Sequence, residues 1–245
     1  MLKLNHLTGF GSGAAAAGDV TSYVFDGAGD AIIVPTHAST EFGAGEFTID
    51  CWIKTTATGA NNYICGKWAG DGDRSYRLYI STGDKVTFGY STDGSFSATY
   101  VVEENSGGNV NDGNWHHIEA VGNTTDNKVN LYIDGTKQTD EAAMVTIHDN
   151  SAFSLYVGGV EAGLWFNGYI DEFRVLKAEA AHLSSFTPPT KQYTSTANTS
   201  VLIHGGEAIA SGTTGSGATF VDSGNTGHTV SESGNAIRDA SIYKF

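Results

Sequence analysis

The chain is poor in sulfur, proline and positive charge. Its two cysteines among 245 residues, Cys51 and Cys65, cannot build a disulfide framework, and their spacing matches no zinc or redox motif. They fall in adjacent predicted strands, so a single bridge is open to them. Nothing else marks an oxidising compartment, and two free core thiols are the expectation. Lysine and arginine number 13 against 27 aspartates and glutamates, a formal net charge of −14 that repels nucleic acid and anionic membrane surfaces. A well-solvated acidic surface suffices to explain that excess. No run approaches the ~20 apolar residues of a membrane span, which argues against membrane insertion.

What is plentiful is glycine, at 32 residues against 3 prolines, together with threonine, serine, asparagine and valine. That mixture suits many short strands joined by tight turns. A hydrophobic share of 40% with 11% aromatics is enough for one substantial core. The opening MLKLNHLTGFGSGAAAAG superficially resembles a signal peptide, but Asn5, His6 and Thr8 interrupt any apolar stretch. The sequence therefore divides into an N-terminal flexible or docking arm (1–19), a sandwich (20–190) and a strand-containing extension (191–245) that packs on the sandwich or on a neighbour.

Short alternating or apolar runs separated by Gly, Asn and Asp predict eleven strands between residues 22 and 176. In FTIDCWIK the inward set is Phe47, Ile49, Cys51 and Ile53, with Asp50, Trp52 and Lys54 on the other face. In the strand over 128–134, Val129, Leu131 and Ile133 oppose Asn130, Tyr132 and Asp134, and Asp134-Gly135 supplies the turn. Helical signal is confined to Lys177–Leu183, a turn or two at most.

Six segments in order, FDGAGDAIIVP, FTIDCWIKT, NDGNWHHIEAV, NKVNLYIDGTKQ, SLYVGG and FNGYIDEFRV, resemble the laminin-G-like, concanavalin-A-like lectin/glucanase superfamily. The resemblance implies an all-β fold, a two-sheet antiparallel jelly-roll sandwich, with Trp115 sealing one end of the core. Such domains serve lectins, carbohydrate-binding modules, pentraxins and proteins of bacterial viruses, so the fold alone does not settle the role. The two ends, MLKLNHLTGFGSG and FTPPTKQY with the segments after it, are similar to virion structural proteins of tailed phages. That likeness implies a module on the virion surface, a head decoration, fibre or tail adhesin, with other virion proteins or further copies of itself as partners. A secreted or cell-surface carbohydrate-binding module is the alternative, and a glycan-active enzyme the third.

Catalytic constellations are hard to find. A retaining glucanase needs two carboxylates facing one cleft, and the superfamily's Glu-x-Asp-x-(x)-Glu motif is absent. Asp171-Glu172, Glu103-Glu104 and Asp140-Glu141 are neighbours, expected to point to opposite faces of their strands. His116-His117 has the same defect as a metal chelate. No nucleophile elbow, metalloprotease helix or phosphate loop is present, and a non-enzyme is expected.

Two binding sites can be sought. In YIDEFRV, Asp171 falls in phase with Tyr169, Phe173 and Val175, and a carboxylate on an apolar face needs compensation. Calcium held by Asp26, Asp30 and Asp171 would supply it, as in family members with an ion between first and last strands. The competing reading has Asp171 accepting backbone N–H bonds and Asp26 serving an Asx-turn. Asp71 and Asp73 in GDGD read as a solvated turn. Trp68, Tyr76, Tyr79, Tyr90 and Trp165 are the candidate platform for a sugar, since an aromatic ring stacks on the apolar face of a pyranose; the competing reading puts most sandwich aromatics in the core.

Overall fold

The structure is a computed structural model and describes residues 22–104, 109–205, 221–239, 241–242 and 244–245. The predicted arm over 1–19 lies outside the described residues. The chain runs through β1 (Ser22–Asp26), β2 (Ala31–Val34), β3 (Phe47–Lys54), β4 (Asn62–Trp68), β5 (Arg74–Ile80) and β6 (Val86–Ser91). It continues through β7 (Thr99–Glu103), β8 (Trp115–Asn123), β9 (Lys128–Ile133), β10 (Thr136–Ala143), β11 (Leu155–Val157), β12 (Gly159–Val160) and β13 (Leu164–Trp165). It ends with β14 (Asn167–Lys177), β15 (Thr199–Ile203), β16 (Ser231–Ser233) and β17 (Ile237–Asp239).

Two antiparallel sheets stack face to face. The first has the order β10-β9-β8-β3-β14-β1-β17, with β15 also on β14; the second has the order β16-β2-β11-β4-β5-β6-β7. Alternation places one face of each sheet in a shared core: Phe47, Ile49, Cys51 and Ile53 of β3 and Val129, Leu131 and Ile133 of β9 all join it, as the sequence predicts. Cys51 and Cys65 are both free and buried there, and burial pushes both thiols up. At the hairpin between β9 and β10, Asp134 and Gly135 both have positive φ, which suits a tight turn whose twist matches the strands.

The C-terminal segment completes this sandwich. β17 pairs with β1, β16 with β2 and β15 with β14, so the segment extends both sheets. Val201 and Ile203 are core residues, and Leu202 is buried. Side-chain carboxylates tie the turns down. Asp30 accepts from the Asn235 N–H at 2.7 Å, and Asp222 from the Leu202 and Gly224 N–H groups, both at 2.8 Å.

Three expectations are corrected. Residues 177–183 hold no helix: β14 runs to Lys177, and the chain then crosses the outer face of the first sheet, tied by the Glu179 carbonyl and Ala181 N–H to the Thr48 hydroxyl. Trp115 lies outside the core cluster, edge-on to Tyr169 at 6.5 Å. The third concerns Asp171. A bulge breaks the register of β14 against β3 between Asp171 and Arg174, with Glu172 at φ +52°. Ile170 and Phe173 are therefore successive core residues, and Asp171 does not share their face. At the same point β14 changes partner from β1 to β15.

Candidate functional site

The outer face of the second sheet carries a chemically distinct array. Because Tyr76, Leu78 and Ile80 of β5 point into the core, Ser75, Arg77 and Tyr79 point outward. Arg77 stands between Gly66 of β4 and Gly89 of β6, which both lack a side chain. A Cβ on Gly89 would sit 3.3 Å from Arg77 Nε, and one on Gly66 only 2.7 Å from the Tyr76 carbonyl. Gly89 thus makes the floor of a trough along which the guanidinium lies, while Gly66 on its other side is covered by Val160 of the β12–β13 hairpin.

Aromatic rings wall this trough. The Arg77 guanidinium carbon is 4.2 Å from the Trp68 ring centre, 4.8 Å from Tyr79 and 5.8 Å from Tyr63. Tyr63 and Tyr79 stack on each other at 5.0 Å. Arg74 extends the row, 5.8 Å from Trp68 and 5.5 Å from Phe96, while pairing with Asp71. Burial raises the Tyr79 hydroxyl, opposed by the Arg77 charge. Among the described residues Arg77 forms no ion pair; its one side-chain hydrogen bond runs to the Tyr63 hydroxyl at 3.1 Å. Arg77 Nε, Arg74 Nε and the hydroxyls of Ser75 and Thr99 are buried and lack a hydrogen-bond partner among the described residues. Phe96 and Val101 border the array at 61% and 46% exposure and offer apolar contact.

The five predicted sugar-platform residues separate accordingly. Tyr76 and Tyr90 belong to the inter-sheet core and cannot meet a sugar. Trp68 and Tyr79 are on the outer face but buried, their rings covered by arginine rather than open for stacking. Trp165 is half-buried on the β12–β13 hairpin, packed across Gly159. Sequence reasoning missed Arg77, Arg74 and Phe96. The glycines inside YICGKW and TFGYS were the available signal, since glycine within a strand marks close approach of another group.

The three predicted calcium ligands are not brought together. Asp26 stands opposite Asn167, and Asp171 lies four positions further along β14, roughly 13 Å at strand rise. Each carboxylate is used locally. Asp26 caps the Ala28 N–H at 2.7 Å, an Asx-turn, and Asp30 accepts from the Asp26 and Asn235 N–H groups. Asp171 accepts from the N–H groups of Glu172, Gly205 and Lys244 at 2.8, 3.1 and 3.3 Å. Glu172 accepts from Tyr193 N–H at 2.7 Å and meets His204 Nδ1 at 2.8 Å. The bulge therefore puts both carboxylates on the outer side of the first sheet rather than on opposite faces, each enclosed by the C-terminal half of the chain.

Beside them lies a buried polar network. Asp50 accepts Arg174 Nε at 3.0 Å, a terminal Arg174 nitrogen at 2.7 Å and the Tyr193 hydroxyl at 2.5 Å. Burial pushes the Asp50 carboxyl up, but the Arg174 charge and the neighbouring His117, 3.7 Å away, overcome it and hold it at about 2. Ligand atoms of Asp50, His117 and Glu119 lie within 4.8 Å of one another. Most of these atoms are already engaged: both Asp50 oxygens serve Arg174, both Glu119 oxygens serve His182 and His117 Nε2 serves Tyr193, while His117 Nδ1 is buried without a partner among the described residues. A cation beside the Arg174 guanidinium would add like-charge repulsion. A cleft of about 320 Å³ opens next to this network, lined by Arg174, His182, Phe186 and Tyr193 among others.

Two antiparallel sheets stacked over a shared non-polar core define a jelly-roll β-sandwich. The model of the concanavalin A-like lectin/glucanases superfamily matches residues 26–181, and the chain belongs to that superfamily. Among solved structures, a protein of Bacteroides ovatus provisionally described as carbohydrate-binding is 18% identical with a TM-score of 0.58, over 90% of this chain and 60% of that one. Domains LG4-5 of the mouse laminin alpha1 chain are 20% identical with a TM-score of 0.49, over 69% of this chain and 47% of that one. The CBM40 of a Ruminococcus gnavus IT-sialidase, bound to alpha2,3 sialyllactose, is 15% identical with a TM-score of 0.49, over 68% of this chain and 95% of that one. The chain thus spans about three fifths of the Bacteroides protein and half of the laminin fragment. A search of curated protein sequences finds no match.

Proposed function

We propose that the chain is a non-catalytic carbohydrate-binding module whose ligand lies on the outer face of β4–β7. The carrying observation is the glycine-floored trough holding Arg77, with unpartnered buried donors at Ser75, Thr99 and both arginines. Sugars present hydroxyl acceptors and an apolar ring face together, which is what donors interleaved with Phe96 and Val101 accommodate. The Bacteroides protein's description as carbohydrate-binding agrees with this reading. No catalytic role attaches to the buried carboxylates, because Asp171 and Glu172 are saturated by the chain's own backbone and His204. The test is a glycan panel with wild type and Phe96→Ala, a change at an exposed position that leaves the core intact. Binding weakened by the substitution supports the site; absence of binding to every glycan, or hydrolysis of any of them, overturns the reading.

The setting we infer, from the likeness of the chain's ends to virion proteins, is the surface of a phage particle, with virion proteins or further copies as neighbours. Mass spectrometry of purified particles tests it, and finding the chain only in secreted or cell-surface fractions would refute it.

A further inference from the structure

We infer that the trough binds an acidic sugar through Arg77, an inference that rests on the carbohydrate-binding reading and specifies its ligand class. The chain carries four arginines, at positions 74, 77, 174 and 238. Arg174 has Asp50 as a bidentate partner and Arg74 has Asp71, but Arg77 has no carboxylate among the described residues. A half-buried guanidinium without a counter-charge is out of keeping with a chain of net charge −14. Three rings offset part of its desolvation, since cations are attracted to the faces of aromatic rings. They leave its hydrogen-bonding edge incomplete: one terminal nitrogen serves Tyr63, while Nε is buried without a partner.

A carboxylate accepts two parallel N–H bonds from a guanidinium, and the ring it is attached to would rest beside Gly89, on the side of Arg77 away from the Val160 that covers Gly66. The Ser75 hydroxyl, two positions along the same strand at a register shift against β4, is a further polar atom buried without a partner among the described residues. The overall negative charge adds a restriction. A polyanionic chain would be repelled at long range, whereas a single acidic residue in an otherwise neutral glycan carries only the charge that Arg77 neutralises.

The experiment uses the full chain and a pair of oligosaccharides differing only in one terminal residue, glucuronic acid or glucose, titrated calorimetrically against wild type, Arg77→Met and Arg77→Lys. The wild type is expected to prefer the acidic member by about tenfold or more, the size of a charge-assisted bidentate contact. Arg77→Met should bind both alike, and Arg77→Lys should keep only part of the preference because it lacks the planar fork. Should Arg77→Met fail to fold, the wild-type melting temperature gives a second readout: free glucuronate should raise it and free glucose should not. Equal affinity for the two members, or a preference that survives Arg77→Met, overturns the acidic-sugar inference while leaving carbohydrate binding in place. Binding to neither member, nor to any glycan of the wider panel, overturns both.

Discussion

Replacing Arg174 by Met should expose how strongly the outer face of the first sheet depends on one buried ion pair. Asp50 is fully buried, and Arg174 supplies two of its three close hydrogen bonds. Removing one member of a buried pair leaves an uncompensated charge, typically about 3–5 kcal/mol. The guanidinium also lies 3.7 Å from the centre of the Tyr193 ring, a contact that methionine keeps only in its apolar part. For a domain of this size the loss corresponds to a drop of roughly 6–20 °C in melting temperature at neutral pH. The pH dependence discriminates further. In the wild type the Asp50 carboxyl is held at about 2, below its ordinary value of 3.8, so its contribution is complete above pH 3.8 and is lost as pH falls through about 2. Without Arg174, burial acts with less opposition and raises the same carboxyl, so acidification should protonate it and relieve the variant. The gap between variant and wild type should therefore narrow between pH 7 and pH 4.5, read by thermal melting at matched ionic strength. A melting temperature within about 2 °C of wild type at pH 7, or a gap that stays constant on acidification, would refute this reasoning.

Two further outcomes follow from the seam between β1 and β15. Burial, then the neighbouring Glu172, raises the Asp171 carboxyl to about 6, so its ionisation costs about 3 kcal/mol of stability as pH rises from about 4 to 6; Asp171→Asn should flatten that part of the stability profile in urea titrations, and an unchanged slope would show that Asp171 is not its source. Deleting residues 199–245 should lower the melting temperature by more than about 10 °C or leave the protein aggregated, because Val201, Leu202 and Ile203 each contribute roughly 1.5–3 kcal/mol of burial and β14 loses a partner strand; an unaltered melt and unaltered mass on size exclusion would mean that β15 adds nothing to the sandwich.

The sandwich was legible because FTIDCWIK and KVNLYI each keep strict alternation along one strand, and one face of each meets the core. The site was only partly so. Tyr76 and Tyr79 are three residues apart in a single strand, so parity alone forbids them from sharing a face, and the core took Tyr76. Asp171 was misplaced for a different reason. Its phase was counted through a bulge whose left-handed residue is Glu172, and nothing in the residue type marks a glutamate for positive φ. Arg77 was invisible as a candidate for the proposed site because its setting depends on register: Gly66 and Gly89 lie 11 and 12 positions away and become its neighbours only when β4, β5 and β6 pair.

The two outer faces of the sandwich answer the same physical problem in opposite ways. On the first sheet Asp50, Glu119 and Glu172 are buried, and each is matched by this chain's own groups: Arg174 and Tyr193 for Asp50, His182 for Glu119, Tyr193 N–H and His204 for Glu172. Those partners come from β14, from β15 and its following turn, and from the crossover after Lys177, so this polarity is spent on holding the C-terminal half in place. On the second sheet no such segment among the described residues crosses Arg77; the small β12–β13 hairpin packs over Gly66. Arg77 Nε and the hydroxyls of Ser75 and Thr99 are left without partners among the described residues. A buried hydrogen-bonding group left unmatched costs about 1–3 kcal/mol, and the ligand proposed for this face would recover that cost for the several groups gathered there.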